Sequence, residues 1–550
     1  MRRPALVLLF LCALTFFVGL GLPAITDADE AFYAESAREM VDRGDWLTPY
    51  YNDEPRWQKP ILYYWLTAVT YLIAGIGEWS ARAWSALAGL GLVFVTWGAG
   101  ARLTGRADAG WLAGAIAATC FGYFAVARMA LPDLPLAFFV TLAIASAFDD
   151  RWMLAGLAAG LGFLTKGPLA LILPALVFLP VWWRERRRRR VSARSLALGA
   201  VVCAAVGLPW YVAMTAEHGT AYLQSFFVGD NLERFATDRF NSPRSPLFYV
   251  PVVAGGLLPW TPYLAVCLWR GGRDLYARGL ALTDADWRLA IWAAAPLVFF
   301  SVSIGKQPRY ILPILPPIAV LLARALLRRL EAATRGDRGA QRDLRLATRA
   351  TAVLLAVVAL LLVRARELFV PAIPAMTWIA AGALIACAAA LATLAHGRRL
   401  ERLPIVLPVC AAVTFTAVQF GALSGRRPEP VEEMAALVRT HRGGGEAIGA
   451  YHEFVRNLVF YTGAPQQDLF TDERAVTFMR SPGRVLMVVR DTDLPRLETA
   501  SGVTMTRLGA VRYFNTANVK LRVLLVPDPG RDVERVLLVT NRATGKSSPD

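Results

Sequence analysis

Apolar segments long enough to cross a bilayer recur along most of this chain, and they constrain its fold more than any other feature. A helix needs about 20 residues to cross about 30 Å of hydrocarbon. The chain is 56% hydrophobic and its mean hydropathy is +0.42, too apolar for an ordinary soluble protein. The sequence predicts an α-helical polytopic membrane protein of about thirteen spans, near residues 4–24, 81–101, 110–127, 134–148, 152–165, 169–183, 195–214, 247–269, 288–304, 310–327, 350–363, 371–395 and 403–422.

The positive charges lie mainly in short connections between these segments. Arginine runs follow residues 183, 327 and 395, and the densest of them is Arg186–Arg190. Cytoplasmic connections of membrane proteins carry such an excess of Lys and Arg, and they also attract anionic membrane lipids. The formal net charge of +17 therefore indicates topology, and we expect no nucleic acid as a partner.

The N-terminal apolar segment follows Met1-Arg2-Arg3, and no convincing small-residue cleavage site comes after it. We therefore expect an uncleaved first span that starts in the cytoplasm. An odd number of spans then places the C-terminus on the outer face. All six cysteines lie in apolar segments, as small core residues do.

Two domains are predicted. Residues 1–424 form a transmembrane domain with interfacial helices around 27–76, and residues 425–550 form a small α/β domain on the outer face. The outer segment contains no glycine-rich phosphate loop between a strand and a helix, so we assign it no catalytic role. Its apolar patterns predict helices at 431–440 and 453–462 and strands at 446–451, 484–489 and 519–526.

Five clusters of polar and charged residues lie between the apolar segments. The predicted spans place all of them on the non-cytoplasmic face. A membrane protein that gathers acids, bases and aromatic residues at one face is building a site there. The clusters comprise residues 27–59, 128–133, 165–166, 230–244 and 306–309.

The acidic run after the first span has two interpretations. Thr26 or Asp27 can cap a helix, with Asp29 or Glu30 completing a capping box. That accounts for one or two carboxylates, whereas three are present. Tyr33 follows Asp29 by four residues on the same helical face, and a carboxylate beside an aromatic residue could accept a proton from a hydroxyl group. Capping and catalysis both stay open.

Four cations on the same face could surround an anionic headgroup. Lys59 precedes Pro60 at a predicted helix start, and Lys166 ends a span on the side where positive charge is scarce. Lys306 and Arg309 add two charges beside Tyr310, and Arg binds phosphate bidentately. The alternative is that these side chains extend to lipid headgroups.

Two further segments complete the outer face. Arg128 and Asp133 bracket a short loop and could form a local ion pair of little consequence. The connection 215–246 is long and polar, as functional lids often are. His218 is the only histidine near this face outside the C-terminal domain, which disfavours a histidine-rich zinc site. Carboxylates could still hold Mg²⁺ or Mn²⁺, so a divalent cation stays possible as cofactor.

In this order, these segments resemble the GT-C superfamily of membrane glycosyltransferases. More narrowly, they are similar to the bacterial branch of protein O-mannosyltransferases and lipid A aminoarabinose transferases. The resemblance covers about residues 5–330. The matching pieces are Asp29-Glu30 with Tyr33, Gly44-Asp45-Trp46, Lys59-Pro60, Asp133, Leu164-Thr165-Lys166-Gly167, Glu233-Arg234-Phe235 and Arg309-Tyr310-Ile311-Leu312-Pro313.

The resemblance implies inverting transfer of one sugar from a polyprenyl (undecaprenyl) phosphate donor to a lipid A, glycan or protein acceptor, at the periplasmic face of a bacterial inner membrane. Asp29 matches the family's catalytic acid and Asp133 its second acid. Lys59 and Lys166 match lysines near the donor phosphate. We predict Asp29, Glu30 and Asp133 as catalytic residues, and as substrate-binding residues Tyr33, Lys59, Lys166, Arg234, Lys306, Arg309 and Tyr310.

The chain departs from the lipid A transferase pattern at three places. Gln58 replaces an acid before the matching lysine, and Asn231 replaces a histidine shortly before the Arg-Phe pair. Phe32-Tyr33 stands where an Arg-Tyr pair follows the two acids. These departures disfavour a metal site of that kind and leave the sugar and the acceptor open.

Two other functions compete with this one. An O-antigen ligase or polymerase also uses lipid-linked glycans at the outer face. A transporter would have interrupted helices at mid-membrane and paired repeats, and we find no clear internal repeat. The acid pair directly after the first span favours the transferase.

Overall fold

The structure is a computed structural model, and most of its residues lie in helices. Nineteen α-helices precede the C-terminal domain within the part of the chain that the structure describes. The described residues are 2–26, 29–237, 243–278, 283–369, 375–397, 399–425, 427–515 and 520–542. The first ten helices are α1 (Arg2–Cys12), α2 (Asp29–Arg43), α3 (Leu62–Ala74), α4 (Glu78–Thr104), α5 (Ala107–Ala118), α6 (Phe121–Ala127), α7 (Asp133–Phe148), α8 (Trp152–Lys166), α9 (Leu169–Glu185) and α10 (Ala193–Gly207).

The next nine helices include the most apolar segments of the chain. They are α11 (Pro209–Leu223), α12 (Arg234–Ala236), α13 (Tyr249–Gly256), α14 (Thr261–Arg278), α15 (Asp284–Val302), α16 (Leu315–Thr334), α17 (Arg338–Arg364), α18 (Met376–His396) and α19 (Leu403–Val418). A π-helical segment, Gln224–Glu233, joins α11 to α12, and a 3₁₀ segment, Pro308–Ile314, precedes α16.

Six helical segments are long and apolar enough to cross a membrane, and two bent pairs of helices raise that number to eight. The pairs bend by 53° after Ala118 and by 42° after Gly207. Five further helices are also apolar but shorter, with 10–17 residues each. The chain is therefore a multi-pass membrane protein. The count of about thirteen spans stays a prediction, and residues 371–374 of one predicted span lie outside the described residues.

Several helices run between two ends of the membrane domain. Helix α16 has 20 residues and spans about 30 Å at 1.5 Å per residue. It starts beside Arg309 and ends at the arginine-rich connection to α17. Helix α9 likewise starts just after Lys166 and ends at Glu185, which forms an ion pair with Arg288 near the start of α15. The polar clusters and the arginine runs therefore lie at opposite ends.

Helices α2 and α3 pack together at the end that carries the polar clusters. The Tyr33 ring stacks on Tyr64 with centroids 5.4 Å apart, and the Tyr71 hydroxyl donates to the Ala34 carbonyl at 3.1 Å. The segment 62–74 is helical, as predicted. Between the two helices, a short hairpin joins β1 (Tyr50–Tyr51) to β2 (Glu54–Pro55).

The C-terminal domain contains a five-stranded sheet in the order β4-β3-β5-β7-β6. Strand β3 pairs in parallel with β4 and β5, whereas β7 pairs antiparallel with β5 and β6. Buried apolar side chains of β5 and β7 form the middle of the sheet. The strands are β3 (Ala447–Ala450), β4 (Gln466–Asp468), β5 (Val485–Arg490), β6 (Thr506–Tyr513) and β7 (Glu534–Thr540).

Six short helices accompany the sheet, namely α20 (Pro430–His441), α21 (Leu458–Thr462), α22 (Asp472–Met479), α23 (Leu494–Ser501), α24 (Leu521–Leu525) and α25 (Pro529–Asp532). The predicted helix 431–440 and strands 446–451 and 484–489 are confirmed. The predicted strand 519–526 is wrong where it is described, because 521–525 is helical. Leu521, Leu525 and Val526 are exposed, and the segment lies beside the end of α17 and takes no part in the sheet.

The structure of the C-terminal domain differs from the sequence prediction in two further ways. The predicted helix 453–462 is reduced to Leu458–Thr462, since the positive φ angles of His452 (64°) and Phe454 (54°) interrupt helical geometry before it. Strands β4, β6 and β7 were not predicted. The domain boundary at 424 stays a prediction, and residues 543–550 lie outside the described residues.

Hydrogen bonds fasten the C-terminal domain to the polar end of the membrane domain. The Asn52 side chain donates to the Gln466 carbonyl at 2.6 Å and accepts from the Gln466 amide at 2.7 Å. Asn457 donates to the Ile25 carbonyl at 3.0 Å. Tyr461 donates to Glu78 at 2.9 Å. The domain is therefore part of the wall around the polar clusters.

Candidate active site

A cavity of about 900 Å³ opens where the ends of several helices meet. The first residues of α2 and α7 and the start of α9 face it, together with the last residue of α8. Helix N-termini carry partial positive charge and favour anions. The acidic and basic side chains that line the cavity are Asp29, Arg56, Lys59, Asp133, Lys166, Asp230, Arg234, Arg309 and Arg456.

A chain of ion pairs holds the first group of these residues. Lys166 Nζ lies 2.5 Å from Asp133 Oδ1, and Arg309 Nε lies 3.3 Å from Asp133 Oδ2. Arg309 also donates from its Nη2 atom to Asp29 Oδ2. Asp133 is almost fully buried, whereas the Asp29 side chain keeps 43% of its exposure. Asp29 is therefore the carboxylate of this group that a substrate in the cavity can reach.

A second group lies on the π-helical segment, the first residue of α12 and the loop before α3. Arg234 Nη2 donates to Asp230 Oδ1 at 2.9 Å, four residues apart along the helix. Lys59 Nζ lies 3.7 Å from the same carboxylate oxygen and donates to the Gln58 carbonyl at 2.8 Å. One buried carboxylate therefore orients two cations.

Aromatic rings contact two of the cations. The Arg56 guanidinium lies 3.8 Å from the Phe32 ring centroid and donates from Nε to the Tyr64 hydroxyl at 3.1 Å. Lys166 Nζ lies 4.8 Å from the Tyr310 ring centroid. Such contacts hold a charged group in place without neutralising it.

Apolar side chains form a large part of the cavity lining. They come from the start of α9, the π-helical segment, α12 and the end of α15, namely Leu169, Ile172, Phe226, Phe227, Leu232, Phe235, Phe299 and Phe300. A ligand that fits the whole cavity therefore combines an apolar part with an anionic part.

The charges in the cavity are unbalanced. Six cationic side chains face three carboxylates, so the formal excess is three positive charges. Burial raises the pKa of Asp29, but the positive charges of Arg309, Lys166 and Arg56 outweigh this and hold the pKa below its usual value. Burial lowers the pKa of Lys59 to about 7, against the opposing influence of Asp230. Asp29 is thus ionised at neutral pH, whereas Lys59 loses its proton close to neutral pH.

The structure brings eight of the ten predicted site residues to this one cavity. The two exceptions are Glu30 and Lys306. Glu30 is fully buried and accepts from Arg82 Nε at 2.7 Å and from the Ala130 amide at 2.8 Å. Lys306 is buried and donates to the Ser303 carbonyl. Both side chains therefore hold the backbone near the site.

The local ion pair between Arg128 and Asp133 does not form. Arg128 donates to the Val18 carbonyl at 2.9 Å and to Gln419 Oε1 at 3.1 Å. Arg128 thus connects the segment that follows α1 to the segment that follows α19. Asp133 forms its ion pairs with Lys166 and Arg309 instead.

Three residues in the cavity were missed by sequence analysis as site residues. Asp230 could have been recognised, since its four-residue spacing to Arg234 is that of a helical ion pair. Arg56 lies in a charged segment that the sequence already singled out. Arg456 carries no comparable signal, because it belongs to the C-terminal domain and more than 400 residues separate it from Asp29.

The cavity carboxylates are not arranged as a set of metal ligands. Each of them is paired with a Lys or Arg side chain. Among the described residues, no group of three or more His, Cys, Asp or Glu side chains could hold a metal ion. The divalent cation considered from the sequence has no ligand set in this part of the chain.

Residues 3–218 match the family described as dolichyl-phosphate-mannose-protein mannosyltransferase. Among curated proteins, the undecaprenyl phosphate-alpha-4-amino-4-deoxy-L-arabinose arabinosyl transferase of Edwardsiella ictaluri is 34% identical over 57% of this chain and 57% of its own. The protein of the same name from Pseudomonas paraeruginosa is 33% identical over 60% and 61%. The chain thus aligns with less than two thirds of the length of these relatives.

Solved structures extend the similarity to the whole chain. ArnT from Cupriavidus metallidurans bound to undecaprenyl phosphate has a TM-score of 0.72 at 22% identity, over 99% of both chains. The archaeal oligosaccharyltransferase AglB from Archaeoglobus fulgidus has a TM-score of 0.54 at 12% identity, over 91% of this chain and 70% of its own. At these identities the structures establish the fold. The chain is thus similar in sequence to protein mannosyltransferases and aminoarabinose transferases over part of its length, and similar in fold to the solved membrane glycosyltransferases over most of it.

Proposed function

We propose that this protein is an inverting glycosyltransferase that moves a single sugar from a polyprenyl phosphate donor to a lipid, glycan or protein acceptor. The observation that carries the proposal is the shape and charge of the cavity. Its lining divides into a set of apolar side chains, a set of cations in formal excess, and the accessible carboxylate of Asp29.

The donor fits this division. Its polyprenyl chain lies along Leu169, Ile172 and the aromatic side chains of α15, and its phosphate lies among Lys59, Lys166 and Arg309. The relatives named above use an undecaprenyl phosphate sugar, and the ArnT structure contains undecaprenyl phosphate. These similarities favour undecaprenyl phosphate as the carrier lipid.

The cations stabilise the leaving group. When the bond between the sugar C1 atom and the phosphate oxygen breaks, the electron pair stays on the phosphate. Fixed positive charges that already surround this oxygen lower the barrier, because they need no reorganisation as the charge develops. Arg309 is held by Asp29 and Asp133, and Lys166 by Asp133, so both are oriented before the donor arrives.

Asp29 serves the acceptor. An acceptor oxygen attacks C1 on the face opposite the phosphate, so the configuration at C1 inverts. If the acceptor is a hydroxyl group, its proton passes to the ionised Asp29 carboxylate. If the acceptor is a phosphate, it is already ionised, and Asp29 then positions it without taking a proton.

We also propose an orientation in a bacterial inner membrane. The N-terminus and the arginine-rich connections face the cytoplasm, and the cavity and C-terminal domain face the periplasm. The support is the separation of the two kinds of charge to opposite ends of α9 and α16 together with the positive-inside rule.

Transfer of radiolabelled sugar from synthetic undecaprenyl phosphate donors in proteoliposomes tests the proposal. Wild type transfers label, and Asp29→Asn lowers kcat by about 100-fold or more for a hydroxyl acceptor, the usual worth of a general base. The matched control is Asp108→Asn, an exposed carboxylate beyond the far end of α4, which leaves transfer unchanged. Equal transfer by wild type and Asp29→Asn to every acceptor overturns the role of Asp29. Failure of wild type with every donor overturns the proposed function.

A further inference from the structure

One apolar segment of the C-terminal domain has no part in the proposed reaction. Helix α24 (Leu521–Leu525) lies outside the sheet, and with the residue that follows it exposes three apolar side chains. Leu521 is 63% exposed and Val526 62%, and Leu525 is also exposed. Leu521 and Leu525 lie four residues apart and so share one face of the helix. Apolar side chains gathered in this way gain free energy when another apolar surface covers them.

Helix α24 is attached to the end of α17. Helix α17, with the 3₁₀ turn after it, is one of the segments long and apolar enough to cross a membrane. Its last residue, Arg364, donates from Nε and Nη2 to the Leu525 carbonyl, at 3.2 and 3.1 Å. This contact sets the position of α24 along the axis of the membrane-crossing helix.

The same side of α17 carries exposed apolar side chains. Val353, Val357 and Leu360 are all exposed, and their spacing of four and three residues continues with four more to Arg364, on one helical face. At 1.5 Å per residue, Arg364 lies about 6 Å beyond Leu360. The headgroup layer on each side of the hydrocarbon is about 5–7 Å thick. Helix α24 is therefore attached at the level of the lipid headgroups, directly beyond a lipid-facing stripe.

The neighbouring helix α18 marks the same level. Trp378, near its start, is exposed, and the Arg366 guanidinium lies 5.5 Å from the Trp378 ring centroid. Tryptophan is enriched at membrane–water interfaces, and arginine side chains at helix ends extend to lipid headgroups. Phe369 packs against Phe514 of the C-terminal domain, with ring centroids 5.4 Å apart. The domain thus meets the membrane-crossing helices at the interface through a second contact besides that of Arg364.

A lipid surface fits the exposed face of α24 better than a protein partner. A stable protein interface buries about 800 Å² and 20–30 residues on each partner, which three adjacent side chains cannot supply. Membrane-surface segments combine apolar side chains with basic residues, and the exposed Lys520 and Arg522 flank Leu521 in the chain. The continuity with the exposed stripe of α17 also places α24 where lipid is already present.

We propose that α24 is a membrane-docking segment, whose Leu521, Leu525 and Val526 side chains insert into the headgroup region of the leaflet in which α17 ends. The bilayer then holds the C-terminal domain in place together with the contacts to the membrane domain. The inference depends neither on the proposed reaction nor on which leaflet faces the periplasm.

Fluorescence quenching on the full-length protein in lipid nanodiscs tests the inference without requiring turnover. In a background without the six native cysteines, Leu521→Cys carries an environment-sensitive NBD label, and Thr499→Cys, at an exposed position of α23, carries the control label. We expect a lipid with a nitroxide close to its headgroup to quench the label at residue 521 severalfold more than the label at residue 499. Aqueous iodide gives the opposite order.

A charged substitution separates docking by the protein from insertion of the label itself. Val526→Glu, combined with the label at residue 521, lowers the quenching by the nitroxide lipid to the level at residue 499, because a carboxylate opposes insertion of the helix. Ala500→Glu, at an exposed position of α23, is the matched control and leaves this quenching unchanged.

Three results would overturn the inference. The first is quenching by iodide at residue 521 as strong as at residue 499, without quenching by the lipid. The second is protection of residue 521 from both quenchers, which would assign the face to a second copy of this chain or to another protein surface. The third is lipid quenching that Val526→Glu leaves unchanged, since the label alone would then account for it.

Discussion

The charge of Asp29 depends on residues that are far from it in the chain. Arg309 lies 280 positions away and donates to its carboxylate, and Lys166 lowers its pKa further. A carboxylate with a lowered pKa stays ionised well below neutral pH. The proposed base is therefore already in its active form at any physiological pH, and the pH dependence of the reaction must come from another group.

Lys59 is the group that we expect to set the pH dependence of the reaction. Its lowered pKa of about 7 means that it carries a positive charge below this pH and loses it above. Since the proposed phosphate site needs the cation, kcat/KM for the donor falls as pH rises above about 7. Lys59→Arg removes this alkaline fall, because the guanidinium stays charged throughout. Initial rates at limiting donor over a pH series provide the measurement.

The control for this prediction is Lys59→Gln, which lowers kcat/KM below about pH 7, approaches wild type above it and so flattens the profile. A parallel alkaline fall in wild type and Lys59→Arg would assign the titration to a different residue. The nearby charged groups are Asp230, Arg234, Lys166 and Arg56.

At the scale of elements, the start of α2 serves two functions in consecutive residues. Asp29 faces the cavity, whereas Glu30 turns into the protein and meets Arg82 of α4. Arg82 also donates to the carbonyls of Leu20 and Pro23, at 3.0 and 2.7 Å. A single buried ion pair thus stabilises the packing of α2 and of residues 20–23 against α4, while the neighbouring Asp29 side chain is free for the chemistry of the cavity.

Glu30→Gln tests this division of labour. It leaves the Arg82 charge buried without its partner, which costs about 3 kcal/mol or more of stability. Thermal unfolding in detergent should show a clear loss, while kcat per folded molecule stays near that of wild type. Glu367→Gln, at an exposed carboxylate, is the matched control and changes neither quantity. Loss of kcat without loss of stability would restore Glu30 as a catalytic residue.

At the scale of the whole molecule, the polar clusters and the arginine runs lie at opposite ends of the long helices. Helix α17 starts at the arginine-rich connection and reaches the C-terminal domain, where Arg364 Nε donates to the Leu525 carbonyl at 3.2 Å. The C-terminal domain and that connection therefore lie on opposite sides of the membrane if α17 crosses it.

Cysteine labelling tests this arrangement. In a background from which the six native cysteines have been removed, Thr499→Cys and Thr334→Cys place one exposed thiol at each end. A membrane-impermeant maleimide added to spheroplasts labels Thr499→Cys and leaves Thr334→Cys unlabelled until the membrane is permeabilised. The reverse pattern would invert the proposed orientation, and labelling of both thiols in intact spheroplasts would contradict the opposite placement.

Local features of the sequence were enough to predict a membrane protein and the clusters that form its candidate site. Span length and the arginine runs are local properties, so they identify a membrane protein and indicate which clusters share a side. The ordered motifs around Asp29, Lys59, Lys166 and Arg309 predicted the similarity to membrane glycosyltransferases that the comparisons found. None of this required knowledge of the packing.

Which residues of those clusters face the cavity depends on the packing of the helices. Asp29 and Glu30 are adjacent, but successive residues on a helix point about 100° apart, so one lines the site and the other is buried. Arg456 could not be predicted, because its position depends on how the C-terminal domain docks against the hairpin through Asn52 and Gln466. Contacts between residues hundreds of positions apart leave no local pattern, and the packing of whole domains fixes them.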